Sequence, residues 1–362
     1  MIHVADPSAF TPPYDHALCA ALARAGERVE LFTSAFAYGE APSADGYAVN
    51  EFFYRHATGA AGSRLRLATK LAEHVPDMVR YRRAAEQADV VHFQWLSVQR
   101  LDAHLLPRRP LVLTAHDLLP REPRPGQLAA QRRMYDRVDA VITHSQYGRR
   151  QLTERLGVDP AKVHVVHHGA FTHLVRPGGS LPAELARVTG PVVLFFGLLR
   201  PYKGLESLLE AWRGIEDAEL WIVGRPRMAL EPLQAIASDT VRFVPEFVPD
   251  ADLSAYFRRA DVVVLPYSRT ERFDQSGVLA TALAFGKPTV VTDVGGFSEV
   301  GAAIVVPPDD PAALRGALER LLSDGSERER LAQAASAAAA GPYSWERAAA
   351  STIAVYRTIR DR

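Results

Sequence analysis

The sequence predicts an α/β protein of two domains, each a doubly wound parallel sheet with helices on both faces. A chain of 362 residues is too long for one ordinary hydrophobic core, so two domains are expected. Short runs rich in β-branched residues alternate with amphipathic helical stretches, which is the pattern of parallel sheets covered on both faces. The alternation stops at the Pro/Gly-rich stretch 175–184 and then restarts, which indicates a linker.

The first half of the chain, residues 1–172, is expected to form the first domain. Its helical stretches include "DHALCAALARAG" and "SQYGRRQLTERLG", in which apolar residues recur at helical spacing. In an open parallel sheet, ligands bind beyond the carboxyl ends of the strands, so the residues after each strand are candidates for a site. The predicted strands are "VELFTS", "DVVHFQWL", "PLVLTAHD", "DAVITHS" and "KVHVVHHG".

The second half repeats this organisation after a linker at residues 173–190. Residues 191–344 are expected to form the second domain, with helices at "GLESLLEAWRGI" and "DADLSAYFRRA". The tail, residues 345–362, is an amphipathic helical stretch with no strand after it, and we expect it to pack back on the first domain. The predicted strands are "PVVLFFG", "AELWIVG", "VRFVPE", "DVVVLPY", "PTVVTDV" and "AAIVVPP".

The composition describes a globular protein, with 48% hydrophobic and 23% charged residues. The formal net charge is zero, so nothing favours nucleic acid as a partner. No apolar run approaches the roughly 18 residues that a membrane span needs, and the first ten residues do not resemble a secretory signal. The single cysteine, Cys19, is expected in a helix core, and a cytoplasmic location is expected for the chain.

A basic turn follows the first strand of the second half, in "FFGLLRPYKGLESLLEAW". It carries Arg200 and Lys203, and a helix is expected to start near Gly204. Two cations beside a helix N-terminus form an anion site, because the free N–H groups and the helix dipole add to the side-chain charge. Taken alone, the same residues also fit a basic loop exposed to solvent.

A second helix start of this kind lies in "FDQSGVLATALAFGKP". Ser276 is suited to cap the helix, and Gly277 would let an anion approach the backbone closely. Taken alone, Ser-Gly at this position also fits a simple helix cap. Two anion-suited helix starts in one domain, each after the carboxyl end of a strand, favour a diphosphate ligand.

These residues resemble a known family. The pieces "GLLRPYKGLESLLEA", "LWIVGRP", "VRFVPEFVPDADLSAYFRRADVVVLPY" and "ALAFGKPTVVTDVGGFSE" resemble the C-terminal half of retaining GT-B glycosyltransferases of family 4. The pieces "DVVHFQWL", "LTAHD", "HSQYGRRQL" and "VVHHGAF" resemble the N-terminal half in the same order. The resemblance spans nearly the whole chain. It implies two Rossmann-like domains facing across a cleft.

The resemblance implies a set of residues that bind the donor diphosphate. Arg200 and Lys203 would hold the diphosphate, and the N–H groups of Gly277 and Val278 would cap it, with Ser276 beside them. The leaving group would be a nucleoside diphosphate, whose developing charge these groups stabilise without a metal.

The resemblance also implies contacts to the other parts of the substrates. The loop that contains Phe247 and Val248 would lie against the nucleotide base, and His116 would face the transferred sugar. Without the family match, a structural role would be the default for a histidine at the end of a strand. Two prolines stiffen the first loop, "SAFTPPYDHAL", in which Tyr14 and Asp15 are expected on the acceptor side.

The chain departs from the family where two glutamates are common. Those positions are Phe273 and Thr281 here. Glu271 and Asp274 flank the first position and are candidates to substitute for it as catalytic carboxylates. Thr281 offers one hydroxyl on the ribose side, where a carboxylate could accept two hydrogen bonds.

Several other patterns favour structure over chemistry. The aspartates of "DAD", residues 250–252, begin a helix, where they act as caps and dipole partners, so no metal site is expected. His164, His167 and His168 have no cysteine or carboxylate cluster to complete a zinc set. His144 fits a capping or packing role.

The stretch "RLRLATKLAEHVPDMVRYRR" is basic and partly amphipathic. It could contact an anionic membrane or a charged acceptor through Arg64, Arg66 and Lys70. A solvated helix face is the alternative.

The sequence therefore favours a retaining glycosyltransferase that moves a sugar from a UDP- or GDP-sugar to a glycan, a lipid-linked or a small-molecule acceptor. No cofactor is expected beyond the nucleotide-sugar substrate. Two alternatives remain, a nucleotide-sugar epimerase of the same fold and a non-catalytic nucleotide-sugar-binding subunit. An epimerase needs acid and base carboxylates near the sugar, and Glu271, Asp274 and Asp117 are the candidates.

Overall fold

The computed structural model describes residues 1–119 and 125–360. Strands alternate with helices throughout its first half. The elements are β1 (Ile2–Asp6), α1 (Pro12–Arg24), β2 (Val29–Thr33), β3 (Ala48–Glu51), α2 (Arg64–Ala84), β4 (Val90–Phe93), α3 (Gln99–Leu105), β5 (Leu111–Thr114), α4 (Gln127–Arg137), β6 (Ala140–Thr143), α5 (Gln146–Arg150) and β7 (Val163–Val165).

The second half repeats the alternation and ends in three helices. The elements are α6 (Ala183–Ala186), β8 (Val192–Phe196), α7 (Leu205–Trp212), β9 (Glu219–Val223), α8 (Glu231–Ile236), β10 (Val241–Val244), α9 (Asp250–Arg259), β11 (Val262–Leu265), α10 (Gly277–Ala284), β12 (Thr289–Thr292), β13 (Ile304–Val306), α11 (Pro311–Ser323), α12 (Gly325–Ala340) and α13 (Trp345–Arg360).

The strands form two parallel sheets. The first has seven strands in the order β3-β2-β1-β4-β5-β6-β7, and the second has six in the order β10-β9-β8-β11-β12-β13. Every pairing between neighbouring strands is parallel. The inner strands are buried along their whole length, because helices cover both faces of such sheets. The α/β fold predicted from the sequence is confirmed.

Contacts within the chain divide it into two compact units. The first unit contains Met1–Gly169, the short segment Arg272–Asp274 and the C-terminal segment from Trp345. The second contains Ala170–Glu271 and Gln275–Ser344. Arg272–Asp274 and the last helix, both from the second half of the sequence, are therefore built into the first unit.

Each unit has its own hydrophobic core. In the first unit the rings of Tyr81 and Phe93 pack together with centroids 5.9 Å apart and are fully buried. In the second unit Trp212 and Phe195 are members of one buried cluster with the apolar faces of β9 and β11. Within the described residues no helix is both long enough and apolar enough to cross a bilayer.

The last helix, α13, packs against α1 in the first unit. Its Tyr356 hydroxyl lies 2.7 Å from Nδ1 of His92, and the Thr114 hydroxyl lies 2.7 Å from Nε2 of the same ring. All three side chains are buried, and burial lowers the pKa of His92 to about 3, so the ring is neutral. The predicted helix runs to residue 362, and residues 361–362 lie outside the described range.

Every strand predicted from the sequence is present, and two strands were missed. β1 reads "IHVAD" and β3 reads "AVNE", and neither has the continuous β-branched run of the other strands. β1 is nevertheless fully buried in the middle of its sheet, where it carries His3 and Asp6 among apolar neighbours. Polar residues inside a central strand remove the hydrophobic signal on which strand prediction depends.

The contact between α13 and β4 gives a test of stability. We expect Tyr356→Phe to lower the free energy of unfolding by about 1–3 kcal/mol, because it leaves Nδ1 of the buried His92 without its partner. Tyr81→Phe is the matched control. The Tyr81 hydroxyl is buried with no hydrogen-bond partner among the described residues, so its removal should cost nothing. Urea denaturation of both variants measures the difference, and equal stabilities would contradict the assignment.

Candidate active site

The first candidate site lies in the second unit, where the strand order changes direction. β8 pairs with β9 on one side and with β11 on the other, so the segments that follow β8 and β11 leave the sheet side by side. Such a switch point is the usual ligand site of an open α/β sheet. It holds both helix starts that the sequence predicts as anion sites.

The segment after β8 carries the basic turn. Lys203 closes a single 3-10 turn, and Gly204 begins α7 with a φ of 69°, in the left-handed region that favours glycine. A Cβ on Gly204 would also collide with the carbonyl oxygen of Pro266, the residue after β11. Lys203 is almost fully buried, and its ammonium lies 5.0 Å from the centroid of the Tyr267 ring. The ammonium of this turn is therefore held in place by buried contacts, unlike that of an exposed lysine.

The second helix start meets the first at Gly197, the residue after β8. A Cβ on Gly197 would lie 3.1 Å from Nζ of Lys203 and 3.2 Å from Cγ2 of Val278 in the first turn of α10. Ser276 caps α10 by accepting a hydrogen bond from the Val278 N–H at 3.2 Å, and its hydroxyl lies 3.1 Å from that of Tyr267. The structure thus brings the lysine and the start of α10 together, as the sequence suggested.

The other cation of the turn, Arg200, is half-buried beside the same glycine loop. Its Nε is buried without a hydrogen-bond partner among the described residues. Buried guanidinium nitrogens are normally paired, so this one is available to an anion. Gly277 is exposed at the start of α10.

Three more predicted donor residues differ in accessibility. Phe247 is exposed in the loop after β10, and its neighbour Val248 is buried. Thr281 is buried, and its hydroxyl donates to the Gly277 carbonyl of its own helix at 2.8 Å. The hydroxyl of Thr281 is thus turned to the helix backbone rather than outward, as Ser and Thr side chains inside helices often are. Glu271 is exposed in the second unit.

The second candidate site lies in the first unit, around His116. This half-buried ring follows β5 and is stacked on Trp95, with centroids 5.0 Å apart and planes inclined by 16°. The ring of Tyr14 meets it edge-on at 4.8 Å. Nε2 of His116 lies 3.1 Å from Oε1 of Gln94, and Nδ1 lies 3.3 Å from Nε2 of His144.

The neighbouring histidine determines which nitrogen of His116 carries a proton. Nδ1 of His144 lies 2.9 Å from the Val166 carbonyl oxygen, which can only accept, so this nitrogen carries the hydrogen. Burial, with the nearby His168, lowers the pKa of His144 to about 3 and keeps the ring neutral. Nε2 of His144 is then an acceptor, and Nδ1–H of His116 donates to it.

The carboxylate of Asp274 lies at the start of α5 in the first unit. It accepts hydrogen bonds from the His144 N–H and from the Ser145 hydroxyl, and it is fully buried. A Cβ on Gly148 would lie 2.7 Å from this carboxylate, so a glycine is required there. The predicted candidate for catalysis is thus built into the protein as an anchor for its segment. The preceding residue, Phe273, is buried and forms an antiparallel bridge with Asp117.

The two residues predicted on the acceptor side are both buried. Tyr14 contacts His116, and its ring also lies 5.1 Å from that of Trp345. Asp15 interacts through a hydrogen bond with Asp6, the last residue of β1. Asp15 therefore contributes to the packing of the first loop, and it also lines a cavity of about 240 Å³.

Sequence reasoning missed three residues of the His116 cluster. Gln94 and Trp95 directly follow β4, and Trp345 begins α13, so the first two could have been found as residues at the carboxyl end of a strand. Trp345 carries no such signal. The described residues contain no group of three or more histidine, cysteine and acidic side chains arranged to hold a metal ion.

Family models match both halves of the chain. Residues 14–174 match the family model described as Glycosyltransferase Family 4, and residues 190–324 match that described as Glycosyl transferases group 1. A D-inositol 3-phosphate glycosyltransferase of Xylanimonas cellulosilytica is 30% identical, over 95% of this chain and 90% of that protein. The chain belongs to glycosyltransferase family 4.

Further relatives and solved structures extend over the whole chain of this family 4 enzyme. A D-inositol 3-phosphate glycosyltransferase of Kineococcus radiotolerans is 28% identical over 95% of the chain and 89% of its own length. Sucrose-phosphate synthase of Thermosynechococcus elongatus aligns with a TM-score of 0.76 at 21% identity, covering 99% of this chain and 98% of its own. Anabaena Alr3699/HepE in complex with UDP-glucose aligns with a TM-score of 0.71 at 18% identity, with the same coverage. The fold is GT-B, with two Rossmann-like domains.

The anchor role of Asp274 in this glycosyltransferase predicts a loss of stability. Asp274→Asn should lower the free energy of unfolding by about 1.5–3 kcal/mol, because it replaces a charged acceptor of two hydrogen bonds. Urea denaturation measures the change, and the exposed Glu86→Gln serves as the control. A double-mutant cycle with Ser145→Ala should be strongly non-additive. Full stability with lost turnover would instead assign Asp274 to catalysis.

The buried pair of Asp6 and Asp15 predicts a dependence of stability on pH. Burial and then the negative charge of Asp6 raise the pKa of Asp15 well above its ordinary value, so the folded protein holds a proton that the unfolded chain releases. Stability is therefore lost as pH rises from about 4 towards the folded pKa, by at most about 1.4 kcal/mol per pH unit.

Asp15→Asn removes this dependence, because the asparagine amide donates a hydrogen bond to Asp6 and does not titrate. The gain in unfolding free energy of Asp15→Asn over the wild type should increase between pH 5 and pH 8. Thermal unfolding at several pH values measures it, with the exposed Asp45→Asn as the control. A difference that stays constant with pH would show that the pair holds no extra proton.

Proposed function

We propose that this family 4 glycosyltransferase moves a hexosyl group from a UDP-sugar to an acceptor hydroxyl with retention of the anomeric configuration. The observation that carries the proposal is the meeting of Lys203 and the start of α10 at Gly197. An ammonium, a guanidinium with a buried unpaired nitrogen and a helix N-terminus at one switch point fit a diphosphate.

The choice of uridine as the base follows the solved structures that share the fold. Anabaena Alr3699/HepE is solved with UDP and with UDP-glucose. An α,α-trehalose-phosphate synthase of Burkholderia vietnamiensis, described as UDP-forming, aligns with a TM-score of 0.68 at 17% identity. In this chain the exposed ring of Phe247 is available to a base. A GDP-sugar is the alternative donor.

The proposed chemistry depends on charge that develops on the leaving diphosphate. As the bond from the sugar carbon to the phosphate oxygen breaks, Lys203, Arg200 and the N–H groups at Gly277 and Val278 stabilise the negative charge. The acceptor oxygen forms the new bond to the sugar carbon, and its proton passes to the released diphosphate. In the first unit, His116 is held by Gln94 and His144 against Trp95, and we assign it contact with the transferred sugar.

The acceptor belongs to the first unit in this proposal. The named relatives include D-inositol 3-phosphate glycosyltransferases, and the acceptor classes open to this chain are glycans, lipid-linked molecules and small molecules.

Nucleoside diphosphates test the donor assignment directly. A ligand at 100 times its dissociation constant raises the free energy of unfolding by about 2.7 kcal/mol. Thermal shifts are measured with uridine, guanosine, adenosine and thymidine diphosphates, and the largest shift is expected with UDP. A larger shift with GDP would make a GDP-sugar the donor. No shift with any of the four would refute nucleotide-sugar binding.

The charge of Lys203 gives a sharper test. Lys203→Met keeps the aliphatic stem that packs near Phe195 and Tyr267 but removes the ammonium. We expect kcat/KM to fall roughly 10- to 150-fold, the equivalent of about 1.5–3 kcal/mol. Arg213→Ala, at the far end of α7, is the matched control. An unchanged kcat/KM for Lys203→Met would remove this residue from the site.

The alternatives have separate signatures. An epimerase converts its nucleotide sugar without any acceptor, whereas a transferase releases UDP in proportion to a glycosylated product. A non-catalytic binder gives a thermal shift and no product. The anomeric configuration of the product, read by NMR and compared with that of the donor, tests retention.

A further inference from the structure

A cavity of about 400 Å³ opens at the carboxyl edge of the seven-stranded sheet in the first unit. It is bounded by the segments that follow β1, β2 and β4 and by the first turns of α2. The carboxyl edge is where ligands bind in such sheets. The lining includes Phe10, Tyr54, Arg66, Leu67, Lys70 and Leu71.

The apolar wall of the cavity continues the buried face of α2, but here that face is exposed. Leu67 and Leu71 continue the helical spacing of His74, Met78 and Tyr81, which are buried on the inner face of α2. Yet Leu67 is 70% exposed and Leu71 is 54% exposed. The face of α2 that packs on the core in its second half therefore lines the cavity in its first half, where Phe10 also lines it.

The same cavity carries positive charge. Arg66 and Lys70 line it, and the lining, which lies wholly within the described residues, includes no aspartate or glutamate. Nζ of Lys70 lies 4.9 Å from the centroid of the Tyr54 ring, and no described residue forms an ion pair with it. Burial, with the nearby Arg66, lowers the pKa of Lys70. A bound anion would favour the charged form of Lys70 and so offset this lowering of its pKa.

The first turn of α2 supports an anionic ligand independently. It contains Arg64 and Arg66 and no acidic residue, whereas the helix dipole favours negative charge at this end. The arrangement is unfavourable for the protein alone and becomes favourable when an anion occupies the cavity.

Backbone strain is concentrated here as well. Only Ala9, Tyr54 and Asp309 have positive φ among the described non-glycine residues, and the first two line this cavity. Tyr54, with φ of 55°, is held by its N–H bond to Asp77 at 2.7 Å and by the 2.8 Å contact of its hydroxyl with His74. Strained residues of this kind persist where the surrounding structure fixes them, commonly at ligand sites.

We propose that this cavity binds the acceptor, and that the acceptor is an amphiphilic anion. Its phosphate-type group would lie against Lys70 and Arg66, and its alkyl or aryl group would lie against Leu67, Leu71 and Phe10. The inference rests on the proposed transferase function, since it names the acceptor class of that reaction. It differs from a membrane contact through Arg64, Arg66 and Lys70, because a single molecule occupies the cavity.

Isothermal titration of the full chain tests the proposal with three probes, octyl phosphate below its micelle-forming concentration, inorganic phosphate and octanol. We expect octyl phosphate to bind at one site at least tenfold more tightly than either other probe. Lys70→Gln should weaken the binding of octyl phosphate at least tenfold and leave the binding of octanol unchanged. Leu71→Gln should weaken the binding of both octyl phosphate and octanol. Arg83→Gln, a basic exposed residue in the last turn of α2, is the matched control.

UDP is titrated in parallel and should bind all variants equally. Octyl phosphate that binds no more tightly than inorganic phosphate, while UDP binds normally, would overturn the inference and leave the donor proposal intact. Binding of octyl phosphate without binding of UDP would overturn the transferase proposal instead. Equal attachment of wild type and Lys70→Gln to phosphatidylglycerol vesicles, without binding of octyl phosphate, would assign the basic face to a membrane and refute the cavity.

Discussion

The carboxylate of Asp274 meets the backbone at the start of α5, and the arrangement of the first unit's candidate site follows from that contact. A buried carboxylate is tolerated only where donors surround it, and here the His144 N–H and the Ser145 hydroxyl supply them. The contact fixes the backbone of His144, whose ring lies 3.3 Å from Nδ1 of His116. The same contact holds Arg272–Asp274 in the first unit, two residues before the chain caps α10 with Ser276.

The histidines of the first unit have a common physical character that their sequence pattern conceals. Burial lowers the pKa of His92 and His144 to about 3 and that of His168 to about 4, so all three are neutral. A neutral ring has one donor and one acceptor, which allows it to orient a neighbour without adding charge. His116 is half-buried and contacts His144, one of these neutral rings.

The proposed diphosphate site of the second unit needs positive charge in a defined place. Lys203 is buried against aromatic rings and Arg200 is half-buried, so both are ordered before a ligand arrives. Preordered charge loses little conformational entropy on binding. The two glutamates common in the family are replaced by Phe273 and Thr281, which here pack or bond within the protein. The proposed site therefore depends on cations and helix ends rather than on carboxylates.

The sequence by itself determined the two parallel sheets, the buried strands and both helix starts in the second unit, because these depend on local periodicity and capping. It also identified the turn at Lys203 and the cap at Ser276, since each uses residues adjacent in the chain. Tertiary structure alone decided that Asp274 belongs to the first unit, that Asp15 pairs with Asp6, and that Trp345 joins the ring of Tyr14. It also decided that Leu67 and Leu71 line a cavity. These features join residues distant in sequence, and no local pattern records which buried group meets which partner.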